Sequence, residues 1–315
     1  MPKQYQQLFL RSGFYVLLTV FAGILTTHSV LAAKSSKVKQ SRYNKARVDL
    51  HTQHYSRALP VFKTLARKRH NRSEFYLSLM YRRGLGVRRN SRRADNYLKR
   101  AISHGLVKTV KARAQKGDAY AQVTLGLMLN NGLGITRNNK QAAQWYRKSA
   151  EQGNATGQTY LGFMYEYGRG VTKDYKQAVS WYRKAANQND SRGQAYLGAM
   201  YAFGRGVPRD YKQAVNWFQK AAEQGYAFAQ RNLAIAYEEG RGIERDDKMA
   251  VSWYQKSASQ GDAVAQLYLG DMYFNGKGVS KDIKKARQWW QKSAAQGNAD
   301  AVKKLAQMKQ RKTAH

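Results

Sequence analysis

The side chains of this chain that could carry out chemistry are few, and they form no recognisable constellation. The chain has no cysteine, which excludes disulfides and thiolate chemistry. His51 and His54 are three residues apart and follow Asp49, so two imidazoles and a carboxylate are near one another in sequence. A metal site needs at least one more ligand, and helices commonly expose histidines that bind nothing. We therefore predict no metal site and no cofactor.

Two recurring features look superficially like reactive-site motifs but have structural explanations. Ser149, Ser257 and Ser293 share their repeat position with Ala185 and Ala221, which indicates a packing slot rather than a nucleophile. Paired glycines recur as Gly-x-Gly, but they follow a helix and do not join a strand to a helix, so they are not a phosphate-binding loop. The sequence predicts a protein without catalytic residues.

A strict repeat of 36 residues is the dominant feature of the sequence. In such an array each unit hides its apolar face by stacking on its neighbours, and function usually means binding along an extended surface. A net charge of +37 alone would suggest disorder or a polyanionic partner, but the repeat favours a folded chain. The repeat is marked by Trp145, Trp181, Trp217, Trp253 and Trp289 and by Leu125, Leu161, Leu197, Leu233, Leu269 and Leu305.

Each unit reads as two amphipathic helices and two turns, as the unit 153–188 illustrates. Asn154 is positioned to cap the first helix, and Asp174 with Gln177 forms a capping-box pattern at the start of the second. Gly168 and Gly170 fall where the first helix must end, because glycine tolerates a left-handed turn. Ala178, Val179, Trp181, Tyr182, Ala185 and Ala186 give the second helix an apolar stripe.

The repeat also defines the domain organisation. Five regular units fill residues 117–296, and an earlier unit covers 69–104. A basic insertion, residues 105–116, separates them. Residues 34–68 read as a degenerate N-terminal helical cap, and 297–315 as a C-terminal capping helix with a basic tail.

The motif A-x-x-x-L-G-x-M-Y-x-x-G-x-G-V-x-x-D-x-x-K-A-x-x-W-Y-x-K-A-A-x-Q-G occurs almost whole at 155–188 and 263–297. It resembles the Sel-1-like repeat, a relative of the tetratricopeptide repeat, strongly over 69–297 and weakly at the flanks. The resemblance implies an all-α fold, a right-handed α-solenoid of stacked helix-turn-helix repeats. It also implies a non-catalytic protein-interaction scaffold of the bacterial exported type.

The N-terminus predicts an export signal over residues 1–33. Lys3 and Arg11 form a basic start, Phe14 to Leu25 is an apolar core, and Ala32 and Ala33 suit cleavage. The alternative is an uncleaved membrane anchor, although polar residues dilute the second half of the segment. We expect a periplasmic or secreted protein.

One face of the first helices is predicted to bind a protein or peptide partner. Positions 123, 127, 130 and 131 and their equivalents do not repeat in sequence, and their spacing places them on one helical face. The alternative is that this face packs on the adjacent repeat. The partner-binding candidates are Phe163, Tyr167, Phe203, Glu238, Glu239, Asp271 and Phe274.

The alternative function is binding of an anionic envelope component through residues 34–116. This segment has 24 Lys and Arg against three acidic residues, which would suit peptidoglycan, lipopolysaccharide or acidic lipid. Export argues against nucleic acid, and contact with a membrane would require an uncleaved N-terminal segment. A solvated basic surface without a ligand is the other interpretation. The candidates are Arg82, Arg83, Arg88, Arg89, Arg92 and Arg93.

Overall fold

The computed structural model describes residues 41–43, 45–46, 55–83, 86–87 and 90–313, and every regular element among them is a helix. The predicted signal, residues 1–33, lies outside the described residues. Besides short helical stretches at 41–43 and 45–46, this part of the chain contains fifteen helices. They are α1 (Tyr55–Arg67), α2 (Asn71–Arg83), α3 (Ser91–Ser103), α4 (Leu106–Gln115), α5 (Ala119–Asn131), α6 (Asn139–Glu151), α7 (Ala155–Tyr167), α8 (Tyr175–Asn187), α9 (Ser191–Phe203), α10 (Tyr211–Glu223), α11 (Ala227–Glu239), α12 (Asp247–Ser259), α13 (Ala263–Asn275), α14 (Ile283–Ala294) and α15 (Ala299–Thr313).

The helices belong to two compact units. The first contains the described residues up to Gly157 together with Arg169–Val171, and the second contains Gln158–Gly168 and the described residues from Thr172 onward. Within the first unit α1 packs on α2, α2 on α3 and α5 on α6. Within the second unit α9 packs on α10, α11 on α12 and α13 on α14, and each pair packs on the next. This sequential packing confirms the predicted array of helix pairs.

Side-chain caps and glycines determine where the helices begin and end. The Asn154 side chain accepts a hydrogen bond from the Gly157 N–H at 2.9 Å, and Asp174 accepts one from the Gln177 N–H at 3.0 Å. Gly168 follows the end of α7 and has φ +62°, the left-handed conformation that only glycine adopts without strain. The predicted caps and the predicted stop are therefore confirmed.

The second glycine of each Gly-x-Gly joins successive repeats. Gly206 has φ +70°, and a Cβ built on it would lie only 2.4 Å from the Tyr175 carbonyl oxygen at the start of α8. Gly242 contacts the backbone of Tyr211 in the same way. A larger residue would separate the loop from the preceding repeat, so this glycine is needed for close stacking and for its positive φ.

The two aromatic residues of the second helix are not equally buried. The predicted apolar stripe includes both residues, but Trp217 is only half-buried, while the next residue, Phe218, is 4% exposed. The same holds for Trp181 and Tyr182. The tryptophan ring makes a cation–π contact with the lysine three residues later. The lysine ammonium lies 3.7 to 4.7 Å from the ring centroid in all five regular repeats.

Buried glutamines tie the two helices of each regular repeat together. A glutamine near the start of the first helix accepts a hydrogen bond from a glutamine 30 residues later, just after the second helix. Amides suit this position because they both donate and accept, and four of the first-helix glutamines also donate to the carbonyl of an alanine in the preceding helix. The pairs are Gln122–Gln152, Gln158–Gln188, Gln194–Gln224, Gln230–Gln260 and Gln266–Gln296, at 2.7 to 2.9 Å.

The insertion that interrupts the repeat is a helix. Residues 106–115 form α4, which packs on α5 much as a regular second helix packs on the next first helix. Gln122 of α5 donates to the Ala114 carbonyl of α4 at 3.2 Å, the bond that Gln194, Gln230 and Gln266 make in later repeats. The insertion therefore adds a helix in the position of a second helix, without a first helix of its own.

We predict that Phe218→Ala destabilises the array more than Trp217→Ala, its neighbour on the same helix. Removing a buried Phe typically costs about 3–5 kcal/mol, whereas a half-buried ring loses less apolar contact. Native-state hydrogen exchange of α9 to α12 measures both variants against the wild type, because local opening of neighbouring repeats is resolved there. An equal or larger loss in Trp217→Ala would contradict the burial pattern.

Candidate partner-binding surface

Side chains of neighbouring repeats contact each other at the last turn of a first helix. Glu166, in the last turn of α7, is 5% exposed and accepts a hydrogen bond from the Tyr182 hydroxyl at 2.8 Å. Its other oxygen lies 3.3 Å from a guanidinium nitrogen of Arg205, the middle residue of the next Gly-x-Gly loop. A buried carboxylate is thus satisfied from its own repeat and from the next.

The same arrangement occurs two repeats later and is absent in between. Glu238 accepts from the Tyr254 hydroxyl at 2.7 Å and from the Lys277 ammonium at 2.9 Å. In the intervening repeat the glutamate position is Ala202 and the tyrosine position is Phe218. Carboxylate and hydroxyl are lost together, so neither buried polar group is left without its partner.

The three aromatic candidates differ in exposure. Phe163 is only 8% exposed, and its ring centroid is 4.6 Å from that of half-buried Tyr167. Phe203 is 51% exposed at the end of α9. Arg205 contacts both the Phe203 ring, at 5.3 Å, and Glu166, the neighbour of Tyr167, so these last turns lie side by side. Phe163 is therefore buried among its neighbours, whereas Phe203 is exposed.

The remaining candidates on this face mostly make contacts inside the array. Asp271 accepts from the Trp290 indole N–H at 3.0 Å and pairs with Lys304 at 3.0 Å. The Phe274 ring packs on the Trp290 ring at 5.2 Å. Glu238 is engaged by tyrosine and lysine as described above. Glu239, by contrast, is exposed and pairs with Arg241 at 2.9 Å.

Arginines and tyrosines on the adjoining loops extend this surface, and we did not single them out from the sequence. The Lys173 ammonium lies 4.6 Å and the Arg205 guanidinium 5.7 Å from the centroid of the Tyr175 ring. The guanidinium groups of Arg209 and Arg241 each lie 5.7 Å from the centroid of the Tyr211 ring. Basic residues recur at 169, 205, 241 and 277 with the period of the repeat, which is the signal that could have identified them. We call Tyr167, Phe203, Arg205, Arg209, Tyr211, Glu239 and Arg241 the last-turn surface.

Burial raises the pKa of two carboxyls on the first helices, those of Glu166 and Asp271. Burial raises the pKa of Glu166 above the ordinary glutamate value, although the Tyr182 hydrogen bond and the charge of Arg205 act in the opposite direction. Burial likewise raises the pKa of Asp271, against the opposing effect of Lys304. Both carboxyls therefore favour the protonated form more than an exposed carboxyl does.

The basic candidates in the N-terminal part are only partly described. Arg82 forms an ion pair with Asp95, and the Arg93 guanidinium lies 5.6 Å from the Tyr81 ring centroid. Arg92 is exposed. The side chains of Arg83, Arg88 and Arg89 lie outside the described part of the structure. The structure therefore brings Arg82 and Arg93 onto the α2–α3 pair and leaves the grouping of all six as a prediction.

The earliest repeat replaces the glutamine pair by a glutamate and a histidine. Glu74, fully buried, occupies the first-helix glutamine position, and His104 occupies the other, 30 residues later. The imidazole Nδ1 lies 2.6 Å from the carboxylate, and Arg100 pairs with its other oxygen at 2.8 Å. The bridge between the two helices is kept with different chemistry.

Among the described residues, no group of three or more His, Cys, Asp or Glu side chains is arranged to hold a metal ion. Ser149, Ser257 and Ser293 each donate to a first-helix carbonyl, at 2.6 to 2.9 Å. These contacts confirm that the repeated serines serve packing. In the part of the chain that the structure describes, no helix is long and apolar enough to cross a membrane.

The fold and its repeated contacts define a helical-repeat protein, and comparison with known proteins identifies the repeat. The family model of the Sel1 repeat matches residues 71–106, 119–154, 155–190, 191–226, 227–262 and 263–298. The chain belongs to the Sel1 repeat family. Proteins of this family are generally non-catalytic scaffolds that mediate protein–protein interactions.

Two solved structures illustrate the similarity. A protective antigen of uropathogenic Escherichia coli strains, which displays an SLR fold, is 36% identical with a TM-score of 0.55. It matches 78% of this chain, which spans 50% of that antigen's length. A Sel1 repeat protein from Oxalobacter formigenes is 26% identical, covers 93% of both chains and has a TM-score of 0.61. No curated protein sequence gives a significant match.

We predict that Glu166→Gln gains stability relative to the wild type as the pH rises from about 4 toward neutrality. A carboxyl whose pKa is raised by folding stabilises the fold when protonated, and that contribution is lost as the pH rises through its folded pKa. Glutamine stays neutral, so the difference in unfolding free energy should grow by at most about 1.4 kcal/mol per pH unit. Denaturant unfolding at several pH values measures this.

Glu239→Gln, which neutralises an exposed carboxylate two repeats later, is the matched control. Its difference from the wild type should change little with pH. A Glu166→Gln difference that is flat, or that shrinks with rising pH, would show that ionised Glu166 is not the less favoured form in the folded state.

Proposed function

We propose that this chain is an exported, non-catalytic scaffold that binds a protein or peptide partner on the last-turn surface. The observation that carries the proposal is the 51% exposure of Phe203, held beside the Arg205 guanidinium, on a helix position whose residue type differs from repeat to repeat. A large exposed aromatic next to arginine is typical of the centre of a protein interface.

The chemistry of the last-turn surface favours a partner with both apolar and charged side chains. Phe203 and the Tyr211 ring provide aromatic contact area at a low cost in side-chain entropy. Arg209 is exposed, and Arg241 and Glu239 pair with each other at the surface, where such a pair is worth little and is readily exchanged for a partner's charges. This mixture supports recognition of a protein surface.

Export is supported by the predicted signal in residues 1–33, which lies outside the described residues. It is also supported by the 36% identity to a protein described as a protective antigen, because an antigen that protects is one that antibodies or immune cells can reach. The chain spans half of that relative, so its own partner is proposed from its own residues.

We predict that Phe203→Ala abolishes or strongly weakens partner binding while leaving the protein folded. Aromatic hot spots lose about 2 kcal/mol or more on truncation, and an exposed ring contributes little to the core. The measurement is affinity capture from the envelope fraction with wild-type and variant protein, followed by titration of each captured partner.

Met249→Ala is the matched control, because Met249 is 37% exposed on a second helix, α12, away from the first-helix face. A partner whose affinity falls with Phe203→Ala but not with Met249→Ala supports the proposal. Equal retention by both variants would show that the last-turn surface is not the binding site.

A specific observation also favours the second candidate, a polyanion-binding front end. Of the three acidic residues in 34–116, Glu74 is paired with Arg100 and His104, and Asp95 with Arg82. Three acidic residues offset only a small part of the charge of the 24 basic residues in this segment. The remaining positive charge would attract an anionic polymer or lipid surface.

For this second function we predict a steep salt dependence. Binding of lipopolysaccharide or of vesicles containing acidic lipid should weaken by orders of magnitude between about 50 and 200 mM salt, since counterions are released on binding. Arg92→Glu combined with Arg93→Glu should make the slope of log affinity against log salt shallower. A salt-insensitive interaction, or an unchanged slope, would contradict the polyanion interpretation.

A further inference from the structure

The array is least regular where α4 is inserted before α5, and a cavity lies there. It has a volume of about 730 Å³ and is bounded by α4, α5, the loop after α5, and α6. Cavities of this size typically accommodate a small ligand or a few residues of a peptide. All of its lining residues belong to the first unit, so it is separate from the last-turn surface.

Two neighbouring departures from the repeat account for this cavity. The first is α4, which occupies the position of a second helix but has no first helix of its own. The second is Leu129. The equivalent position is tyrosine in every other repeat, and the missing ring leaves space beside Leu125 and Trp145, which also line the cavity. The tyrosines are Tyr81, Tyr165, Tyr201, Tyr237 and Tyr273.

The floor of the cavity is apolar and its rim is basic. Leu125 and Leu129 of α5 lie at the base of the cavity, each 3% exposed, and the half-buried side chains of Ile135 and Trp145 provide the more accessible apolar surface. The rim carries Lys111 from α4 with Arg147 and Lys148 from α6, against a single acid, Glu151. An occupant should therefore have an apolar part that enters and carboxylates that remain at the rim.

The polar side chains along the walls narrow the choice of occupant. Gln115 of α4 and Gln141 and Gln144 of α6 line the cavity, and each amide offers both a donor and an acceptor. A peptide backbone can use both groups, whereas an acyl chain can use neither. The walls therefore match a peptide better than a fatty acid or a lipid tail.

We propose that this cavity binds an acidic peptide segment of a partner protein, with an aliphatic side chain seated against Ile135 and Trp145 in the space beside Leu129 and flanking carboxylates at Lys111, Arg147 and Lys148. The site lies in the first unit and does not depend on Phe203. The chain would then hold two protein segments at separate places, one in this cavity and one on the last-turn surface, as a scaffold does.

The test uses the full chain and a synthetic probe, the acetylated and amidated hexapeptide Glu-Glu-Leu-Leu-Glu-Glu, titrated by isothermal calorimetry. We expect binding by the wild type and at least about a tenfold loss in Leu129→Tyr, which restores the residue of the other repeats and fills the cavity. Because tyrosine is accommodated at this position elsewhere in the chain, the variant should fold, and circular dichroism verifies this.

A second variant, Lys111→Glu with Arg147→Glu, tests the rim without changing the cavity volume, and it should also lose binding. Equal binding by wild type and Leu129→Tyr would overturn the proposal, as would failure of the wild type to bind the hexapeptide. Equal binding of Lys-Lys-Leu-Leu-Lys-Lys would overturn the charge argument. Decanoate that displaces the hexapeptide at equal concentration would replace the peptide by a lipid-like ligand.

Phe203→Ala distinguishes this proposal from the proposed function. It should leave hexapeptide binding unchanged even if it abolishes capture of the scaffold's partner. Loss of hexapeptide binding in Phe203→Ala would place the peptide on the last-turn surface and overturn the cavity assignment. Loss of partner capture in Phe203→Ala with hexapeptide binding intact would support both.

Discussion

The close approach of neighbouring helices is the constraint on which the rest of this structure depends. At Gly162 an added Cβ would lie 2.7 Å from the Tyr182 ring. At Gly198, the equivalent glycine of the next repeat, an added Cβ would lie 3.0 Å from the Phe218 ring. Helices this close leave no room for water, so each buried polar group needs a partner from the protein. The glutamine pairs and the hydrogen bonds from glutamine to alanine carbonyls meet this requirement once per repeat.

The same requirement explains why the buried charged groups of the described residues occur together with partners. Glu166 is buried with Tyr182 and with Arg205 of the next repeat, and the half-buried Glu238 makes the same contacts with Tyr254 and Lys277. An isolated buried carboxylate would be costly, whereas one held by a hydroxyl and a cation is tolerated. Because the cation comes from the next repeat, the burial of the carboxylate depends on correct stacking. Successive repeats are thereby coupled by polar contacts as well as by apolar ones.

The sequence predicted most of the fold, because the fold depends on features with a period. The 36-residue repeat, the caps at Asn154 and Asp174 and the stop at Gly168 are local signals, and the structure confirms them. The relative burial of Trp217 and Phe218 was not predictable in this way. Both are aromatic, both repeat, and which of them enters the core depends on a rotation of the helix by about one residue, which is set by tertiary packing.

The candidate surface was harder to predict for a related physical reason. Positions that vary between repeats include exposed residues such as Phe203 and buried ones such as Phe163, since variation is tolerated wherever a neighbour can adjust. Exposure depends on how closely the adjacent repeat packs, which a single sequence does not encode locally. The helical nature of the insertion 105–116 was missed because ten residues are too few to show a clear apolar period.

Departures from the repeat fall into two kinds, and the distinction bears on function. Some are compensated by a neighbour. Ala202 occurs with Phe218, so no hydroxyl is left without its carboxylate, and Glu74 occurs with His104, so the bridge between two helices survives. Leu129 is of the other kind, because the tyrosine ring of the other repeats is missing there and an open cavity lies beside it. Leu129 therefore differs from the compensated departures, and it is the one on which the proposed peptide site depends.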